Sequence, residues 1–464
     1  MLSFFRLNDP YRLLGLLLLF LLISLPAFLY SPGITWPELN SLSIGQKISE
    51  GFTPYSELID STPPLTQWMY GLTDWIVGDS FPARHSLAFL ILFFQACYLG
   101  IVFISKKAFT ENTYIPSLLF IILCALSFDV LTLSGTLLAS GFLLLAVHSF
   151  IKEIEFREPN DETLLKLGVY LSLASLSVFS YIIFFFAAQL ILLLFTRSSL
   201  RRQLLFLTGF LLPHGFILIW YFYFDNQAAL FDFFYLANLL VDEQLFVSTQ
   251  TTFVLASVPL FYLVFSLFIL NRTVRLTNYQ SQLLQAMFIW LIAGIVHLFF
   301  TRSFRPQSLL PLFPPLSFLL THFLLSIRRK RFAELHVWML LLGILTTSTL
   351  TMKGYFENAS YQPLLVQPEA KKFTGSSLLI LDEHQTQYLY LPLANGFSEW
   401  RLCEPVFKNP NRYANIVLVH DQFTLHQPAV IVDPHNLMQP FFTFLPALEK
   451  DYVKQGAYYF LKNK

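Results

Sequence analysis

The chain has few charged residues and few cysteines for its length. Of its 464 residues only 13% are charged, and three are cysteines. Cys97 and Cys124 fall in apolar stretches and Cys403 stands alone, so their spacing gives neither a disulfide framework nor a metal-ligand pattern. The formal net charge of +1 gives no electrostatic support for nucleic-acid binding, and we predict no nucleic-acid partner.

The common phosphate-binding motifs are also absent. The sequence contains no Gly-x-Gly-x-x-Gly, no Gly-Lys-Ser/Thr and no Asp-x-Asp, which argues against a nucleotide-sugar or ATP site. Charged pairs do not recur within the apolar segments, which weighs against a proton-coupled carrier. The histidines in or beside those segments share no spacing, so we predict no metal centre from them. They are His85, His148, His214, His297 and His322.

Apolar residues are abundant instead, at 55% of the chain, with a mean hydropathy of +0.57. A helix needs about 20 apolar residues to cross a bilayer, and stretches near that length recur through residue 352. We predict about eleven spans. The first lacks an Ala-x-Ala cleavage pattern, so we interpret it as a retained anchor. The spans are predicted near 12–30, 85–105, 115–131, 133–151, 164–179, 181–196, 203–221, 252–270, 283–300, 308–326 and 335–352.

The distribution of positive charge predicts the orientation of these spans. With the N-terminus inside, sixteen Lys and Arg residues before residue 353 fall in inner segments and four in outer loops. Such a bias marks the cytoplasmic face, so we predict a cytoplasmic N-terminus and an outer face that holds the acidic loops.

The pattern changes after residue 352, where short apolar runs alternate with polar segments. We predict strands at 377–382, 414–420, 429–434 and 457–461 and a helix at 441–452. The predicted fold class is therefore mainly α: a polytopic helix bundle over residues 1–352, with a first outer loop at 31–84, followed by a small extracytoplasmic α/β domain over 353–464.

The first outer loop predicts two helices. Glu38 opens the first, Gly51 ends it, and Pro63-Pro64 suit the first turn of the second. Apolar residues on the second helix follow one face, and two tryptophans on that face favour a helix lying flat at the membrane surface. The face consists of Leu65, Trp68, Met69, Leu72, Trp75 and Ile76.

Several motifs resemble one family. They are Glu38 after the first span, Gly51-x-x-Pro54-Tyr55, Asp60, Pro63-Pro64-Leu65, GDSFPARHSL at 78–87 and SFRPQSLLPLFPPLSFLL at 303–320. This pattern resembles bacterial members of the GT-C superfamily, the polytopic glycosyltransferases that include protein O-mannosyltransferase-like and lipid A aminoarabinose transferase-like enzymes. The chain departs from the family at Pro37, where an Asp is usual, and at Gln307 and Ser308, which replace a His-Tyr pair.

The resemblance implies an inverting transfer on the periplasmic side of a bacterial inner membrane. The donor would be a sugar on a polyprenyl phosphate, and the acceptor a hydroxyl of a lipid, glycan or protein. Such a reaction needs a base for the attacking hydroxyl, for which Glu38 is the first candidate. Asp60 is the second, either orienting the acceptor or binding a divalent cation, the one cofactor that the resemblance leaves open.

The leaving phosphate needs cationic stabilisation, for which the resemblance indicates Arg302, Arg305 and Arg84. Tyr55, Asp129 and Gln307 are predicted to line the cleft.

Structural roles compete with each of these assignments. Glu38 also suits a helix start, Asp60 a helix cap, the arginines lipid-headgroup anchors and Asp129 a turn. Two other functions stay open: a catalytically inactive relative that serves as a scaffold in envelope assembly, and a flippase or transporter of a lipid-linked saccharide.

Overall fold

The computed structural model shows a mainly helical chain through residue 352, as hydropathy predicts. It describes residues 1–29, 33–155, 160–196, 199–240, 244–273, 276–301, 303–356, 358–367, 375–383 and 385–462. The helices up to residue 352 are α1 Leu2–Phe5, α2 Arg12–Leu29, α3 Trp36–Ser49, α4 Pro64–Val77, α5 Phe81–Ser105, α6 Ile115–Cys124, α7 Gly135–Glu155, α8 Asp161–Ser177, α9 Ile182–Phe195, α10 Leu200–Tyr223, α11 Gln227–Leu230, α12 Ala237–Leu240, α13 Thr249–Thr273, α14 Asn278–His297, α15 Phe313–Ser326 and α16 Lys330–Met352.

Each of the eleven predicted spans coincides with one of these helices. Among the described residues, eight segments are long and apolar enough to cross a membrane, and the chain is a multi-pass membrane protein. Those eight are Arg12–Leu29, Phe81–Ser105, Gly135–Glu155, Leu200–Tyr223, Thr249–Leu270, Asn278–His297, Pro306–Ser326 and Lys330–Met352. The other three predicted spans correspond to shorter helices, α6, α8 and α9.

Two of the shorter helices, α8 and α9, meet near Ser180, between the spans predicted at 164–179 and 181–196. Helix α8 ends at Ser177, a 3-10 turn covers Phe179–Tyr181, and α9 begins at Ile182. Helix α6 is shorter than its apolar run, because the chain leaves it at Cys124 and forms a 3-10 turn at Phe128–Leu131. Hydropathy alone did not show where α6 ends, since Phe128, Val130 and Leu131 continue its apolar run, but Asp129 within them suits the turn that forms there.

The chain forms two compact units. The first consists of residues 1–33, 81–217 and 242–365, and the second of 34–80, 218–241 and 366–464. The division into domains predicted at residue 352 stays a prediction. In the first unit, 94% of an 18-residue stretch of the Pro306–Ser326 span is buried, against 22% of α2, so α15 lies inside the helix bundle and α2 leaves apolar side chains for lipid.

The second unit contains a small mixed sheet. Its strands are β3 Leu378–Ile380, β4 Val430–Val432, β5 Tyr452–Gln455 and β6 Tyr458–Leu461, following β1 Gln244–Leu245 and β2 Ser303–Phe304 in the first unit. The strand order is β3-β4-β6-β5, with β3 parallel to β4 and the other neighbours antiparallel. The remaining helices are α17 Trp400–Lys408, α18 Tyr413–Leu425, α19 Met438–Phe444 and α20 Pro446–Asp451.

Both faces of this sheet are covered at its two parallel strands, which explains why β3 and β4 are uniformly apolar. Leu379 and Ile431 pack into one core with Phe407 and Phe423, residues of α17 and α18. Leu378, Ile380, Val430 and Val432 pack into a second core, which contains Leu39 of α3.

One predicted strand is wrong, and one predicted helix is divided. Residues 414–420 lie in α18, because a short apolar run does not distinguish strand from helix, and the buried Val419 and Phe423 are spaced four apart. The helix predicted at 441–452 is split between α19 and α20 at Leu445, whose φ of −124° is not helical. The other three predicted strands are confirmed as β3, β4 and β6.

The two helices of the first outer loop form where the sequence predicts. Thr35 caps α3 in a capping box with Glu38, and Gly51 follows the helix at a φ of +99°, a conformation that favours glycine. Pro64 occupies the first turn of α4.

The apolar face of α4 is the exposed one. Leu72, Trp75 and Ile76 are exposed, Trp75 at 78%, whereas Thr66, Gln67 and Gly71 are buried. A helix that buries its small and polar side chains and exposes its apolar ones is typical of a membrane interface.

We expect a nitroxide label on α4 to contact lipid. In Trp75→Cys, oxygen, which partitions into lipid, should enhance the relaxation of the nitroxide more than a water-soluble nickel chelate does. Electron paramagnetic resonance measures both relaxation enhancements. The native Cys97, Cys124 and Cys403 are all buried, which favours labelling at the introduced site. Thr424→Cys, at an exposed position on α18, is the control and should show the opposite preference. If the label at residue 75 also relaxes more with the nickel chelate than with oxygen, α4 does not lie at the membrane interface.

Candidate active site

The loop between α3 and α4 has a well-defined conformation. Tyr55 is fully buried with a φ of +66°, which is uncommon for a residue with a side chain. Its backbone N–H donates to the carbonyl of Leu58 at 3.0 Å, and its hydroxyl donates to the carbonyl of Thr62 at 2.7 Å. Tyr55 therefore stabilises the loop that carries Asp60, and its place in a cleft stays a prediction.

Asp60 is a buried carboxyl, with 1% of its surface exposed. Its Oδ1 accepts the backbone N–H of Thr62 at 2.7 Å, and its Oδ2 accepts the hydroxyl of Ser398 at 3.1 Å. Burial, followed by the nearby charge of Glu399, raises the pKa of Asp60 to about 6, although the hydrogen bonds from Thr62 and Ser398 oppose the rise. This carboxyl can exchange a proton near neutral pH.

Glu38 is also buried, at the third position of α3. Its Oε2 accepts the backbone N–H of Thr35 at 3.0 Å and the hydroxyl of Thr35 at 2.8 Å. Glu38 therefore caps the start of α3, which is the structural alternative to a catalytic role.

A second polar group lies in the first unit, around Asp129. Asp129 is fully buried, and its Oδ1 accepts Nη1 of Arg305 at 3.2 Å. Its Oδ2 accepts the backbone N–H of Gln307 at 2.8 Å. The Oε1 of Gln307 accepts Nη2 of Arg305 at 2.5 Å and the hydroxyl of Ser134 at 2.6 Å. Three residues predicted separately thus belong to one hydrogen-bonded network.

The remaining predicted residues are placed as follows. Arg84 is buried in the first turn of α5, and Arg302 lies outside the described residues. Glu38, Tyr55 and Asp60 belong to the second unit, and the other described site residues belong to the first.

Ser398 and Glu399 lie beside Asp60 and were not among the residues predicted from the sequence. Oε2 of Glu399 accepts the backbone N–H and the hydroxyl of Ser61, at 2.9 and 2.6 Å. No periodicity or motif connects residues 338 positions apart, so the sequence carries no local signal for this contact.

A metal role for Asp60 finds no support in its surroundings. Within the part of the chain that the structure describes, no three His, Cys, Asp or Glu side chains are grouped so that they could hold a metal ion.

The fold is similar to that of two solved structures of ArnT, the aminoarabinose transferase of Cupriavidus metallidurans. The structure bound to undecaprenyl phosphate superposes with a TM-score of 0.57 at 13% identity, over 96% of this chain and 98% of that one. The apo structure gives 0.53 at 12% identity, over 93% and 94%.

The oligosaccharyltransferase AglB of Archaeoglobus fulgidus gives a TM-score of 0.46 at 11% identity, over 98% of this chain and 74% of that one, which is too low to support a conclusion. No protein-family profile and no curated protein sequence matches the chain. The predicted fold class is confirmed: the chain is mainly helical through the membrane part, has a small sheet near its C-terminus, and shares its overall fold with ArnT.

Proposed function

We propose that the protein is an integral-membrane inverting glycosyltransferase, which moves a sugar from a polyprenyl-phosphate donor to an acceptor hydroxyl on the extracytoplasmic face. The observation that carries the proposal is the likeness, over nearly the whole of both chains, to a transferase bound to undecaprenyl phosphate. The buried carboxyl of Asp60, with its pKa of about 6, adds a group suited to base catalysis.

In the proposed reaction the acceptor oxygen attacks the anomeric carbon. The bond between that carbon and the phosphate oxygen breaks, the phosphate leaves on its lipid, and a carboxylate takes the hydroxyl proton. Asp60 is our first choice for this base, because its pKa lets it be ionised at neutral pH yet more basic than an exposed aspartate. Glu38, at the position that best matches the family's acidic motif, is the alternative.

The leaving phosphate would be stabilised by arginine. Arg84, Arg302 and Arg305 remain the proposed residues, on the basis of the resemblance. A guanidinium has five N–H donors, so Arg305, which bonds to Asp129 and Gln307, still has donors for a phosphate.

The localisation is part of the same proposal. The charge bias supports a cytoplasmic N-terminus, and with it a periplasmic first loop and C-terminal segment in a bacterial inner membrane. Lipid, glycan and protein hydroxyls are all proposed as acceptor classes.

Transfer of label in proteoliposomes tests the function. The purified protein is given a polyprenyl phosphate that carries a radiolabelled sugar, together with lipid, glycan or peptide acceptors. We expect label in one acceptor class, with inverted anomeric configuration by NMR. Movement of the intact lipid-linked sugar across the bilayer, with no transfer to any acceptor, would instead establish the transporter alternative.

Glu38→Gln separates the two candidate bases. Glutamine keeps the capping box, since its side chain also accepts the N-cap N–H, so α3 should stay intact. With Asp60 as the base, we expect the transfer rate to fall by less than about 10-fold, far below the effect of removing a general base. A loss of about 100-fold or more, with an unchanged circular dichroism spectrum, would assign the base to Glu38.

A further inference from the structure

The Asp60 loop pairs with a segment of the chain that lies far away in sequence. The backbone N–H of Ile59 donates to the carbonyl of Gly396 at 2.8 Å, and the N–H of Glu399 donates to the carbonyl of Ile59 at 3.3 Å. Both segments belong to the second unit. The C-terminal part of the chain thus contacts the backbone directly beside Asp60.

Side chains of the C-terminal segment reinforce this pairing. The Ser398 hydroxyl donates to Asp60 itself, and the Glu399 carboxylate accepts two hydrogen bonds from Ser61. Ser398 and Asp60 are both buried, so their hydrogen bond does not compete with bulk water. Two adjacent loop residues are held in place by two adjacent C-terminal residues.

A second attachment holds the same loop at Glu57. The Nε2 of Gln422, on α18, donates to the Glu57 carbonyl at 2.8 Å, and its Oε1 accepts the Gly396 N–H at 2.8 Å. A Cβ at position 396 would lie 1.6 Å from the Glu57 carbonyl oxygen, so only glycine permits this approach.

Three titratable groups interact electrostatically with Asp60: Glu399, Tyr55 and Cys403. Glu399 acts on Asp60 directly, and the charge of Asp60 in turn affects the buried Tyr55 and Cys403. A carboxylate beside a buried carboxyl is unfavourable, which makes Glu399 a poor choice for stability alone. The position of Glu399 is explained if its charge serves to make the Asp60 carboxyl more basic.

We infer that Ser398 and Glu399 are positioning residues for the Asp60 carboxyl, so that the C-terminal segment forms part of the catalytic apparatus. This inference rests on the proposed function. Ser398 fixes the orientation of the carboxylate, and Glu399 fixes the backbone beside it through Ser61 and acts on it through its negative charge.

Ser398→Ala tests the orientation. We expect kcat to fall by about 10-fold to 100-fold with KM for the donor within about twofold, because a misplaced catalytic group lowers turnover and not ground-state binding. Ser398→Thr keeps a hydroxyl and should restore kcat. Thr443→Ala removes an exposed hydroxyl elsewhere in the C-terminal segment and is the matched control.

Glu399→Gln tests the charge. The amide oxygen can still accept from Ser61, so the loop should keep its place while the repulsion disappears. The acid limb of the kcat/KM profile, which reports the free enzyme, should then move to lower pH, and a purely structural role would not cause this. Wild-type kcat in Ser398→Ala, or an unmoved acid limb in Glu399→Gln, would overturn the inference.

Hydrogen–deuterium exchange separates a failure of the inference from a failure of the proposed function. Ser398→Ala should accelerate exchange at the amides of residues 59–62, whatever the reaction. If the wild type transfers no sugar, the proposed function fails. The exchange data would still show whether Ser398 holds the Asp60 loop in place. Unchanged exchange in an active enzyme would overturn the inference alone.

Discussion

Asp60→Asn is expected to lower the rate of sugar transfer by about 10²–10⁴-fold, the range that a general base contributes. Asparagine has the same shape, and its Oδ1 can still accept the Thr62 N–H. Its Nδ2 can donate to the Ser398 hydroxyl in place of the present bond. The loop should therefore keep its conformation without a proton acceptor. Initial rates of label transfer measure the loss.

The same substitution should not destabilise the protein. The folded-state pKa of Asp60, about 6, lies above its ordinary value of 3.8, so the ionised carboxylate costs stability. That cost, on the order of 3 kcal/mol, is fully present above about pH 6 and disappears below pH 3.8. A neutral asparagine removes it at neutral pH, and Asp60→Asn should unfold at or above the wild-type temperature.

The pH dependence provides the internal control. Because the base must be ionised, kcat/KM, which reports the free enzyme, should rise with pH through an apparent pKa near 6 and then level off. Asp421→Asn, an exposed residue of α18, should leave both rate and profile unchanged. Activity retained in Asp60→Asn, or a wild-type profile flat between pH 5 and about 8, would remove Asp60 as the base.

Asp129→Ala should destabilise the protein by about 3–5 kcal/mol, because it leaves the buried Arg305 guanidinium without its ion-pair partner. The Gln307 backbone N–H loses its acceptor in the same variant. The shift in thermal unfolding in detergent, followed by tryptophan fluorescence, measures the effect.

A double variant distinguishes the buried charge from simple loss of packing. Asp129→Ala with Arg305→Met removes both charges and should recover part of the lost stability. Asp9→Ala, which breaks the more exposed pair with Arg12, should cost less than about 1 kcal/mol. A loss in Asp129→Ala no larger than in Asp9→Ala would show that Arg305 is not held by this pair.

Local signals in the sequence predicted the helices of the membrane domain and the first loop. Apolar length marks spans, and Glu38 at the start of α3, Gly51 after α3 and Pro64 in α4 each act within a few residues. The same kind of reasoning failed at 414–420, where an apolar run that predicts a strand forms α18.

The site was less predictable than the helices. Asp60, Asp129, Arg305 and Gln307 were each proposed as single site residues, but their hydrogen-bond partners were not predicted. Asp129 contacts Arg305 across 176 positions, and Asp60 contacts Ser398 across 338. Hydrogen bonds over such separations depend on tertiary packing and leave no pattern in the intervening sequence.

By itself, then, the sequence determined that the chain is a mainly helical membrane protein and roughly where its apolar helices lie, because hydropathy is a local property of each segment. Only the tertiary structure decided which groups surround each carboxyl. That neighbourhood is what matters chemically, because burial and the nearby Glu399 charge raise the pKa of Asp60 while the Thr35 cap occupies Glu38.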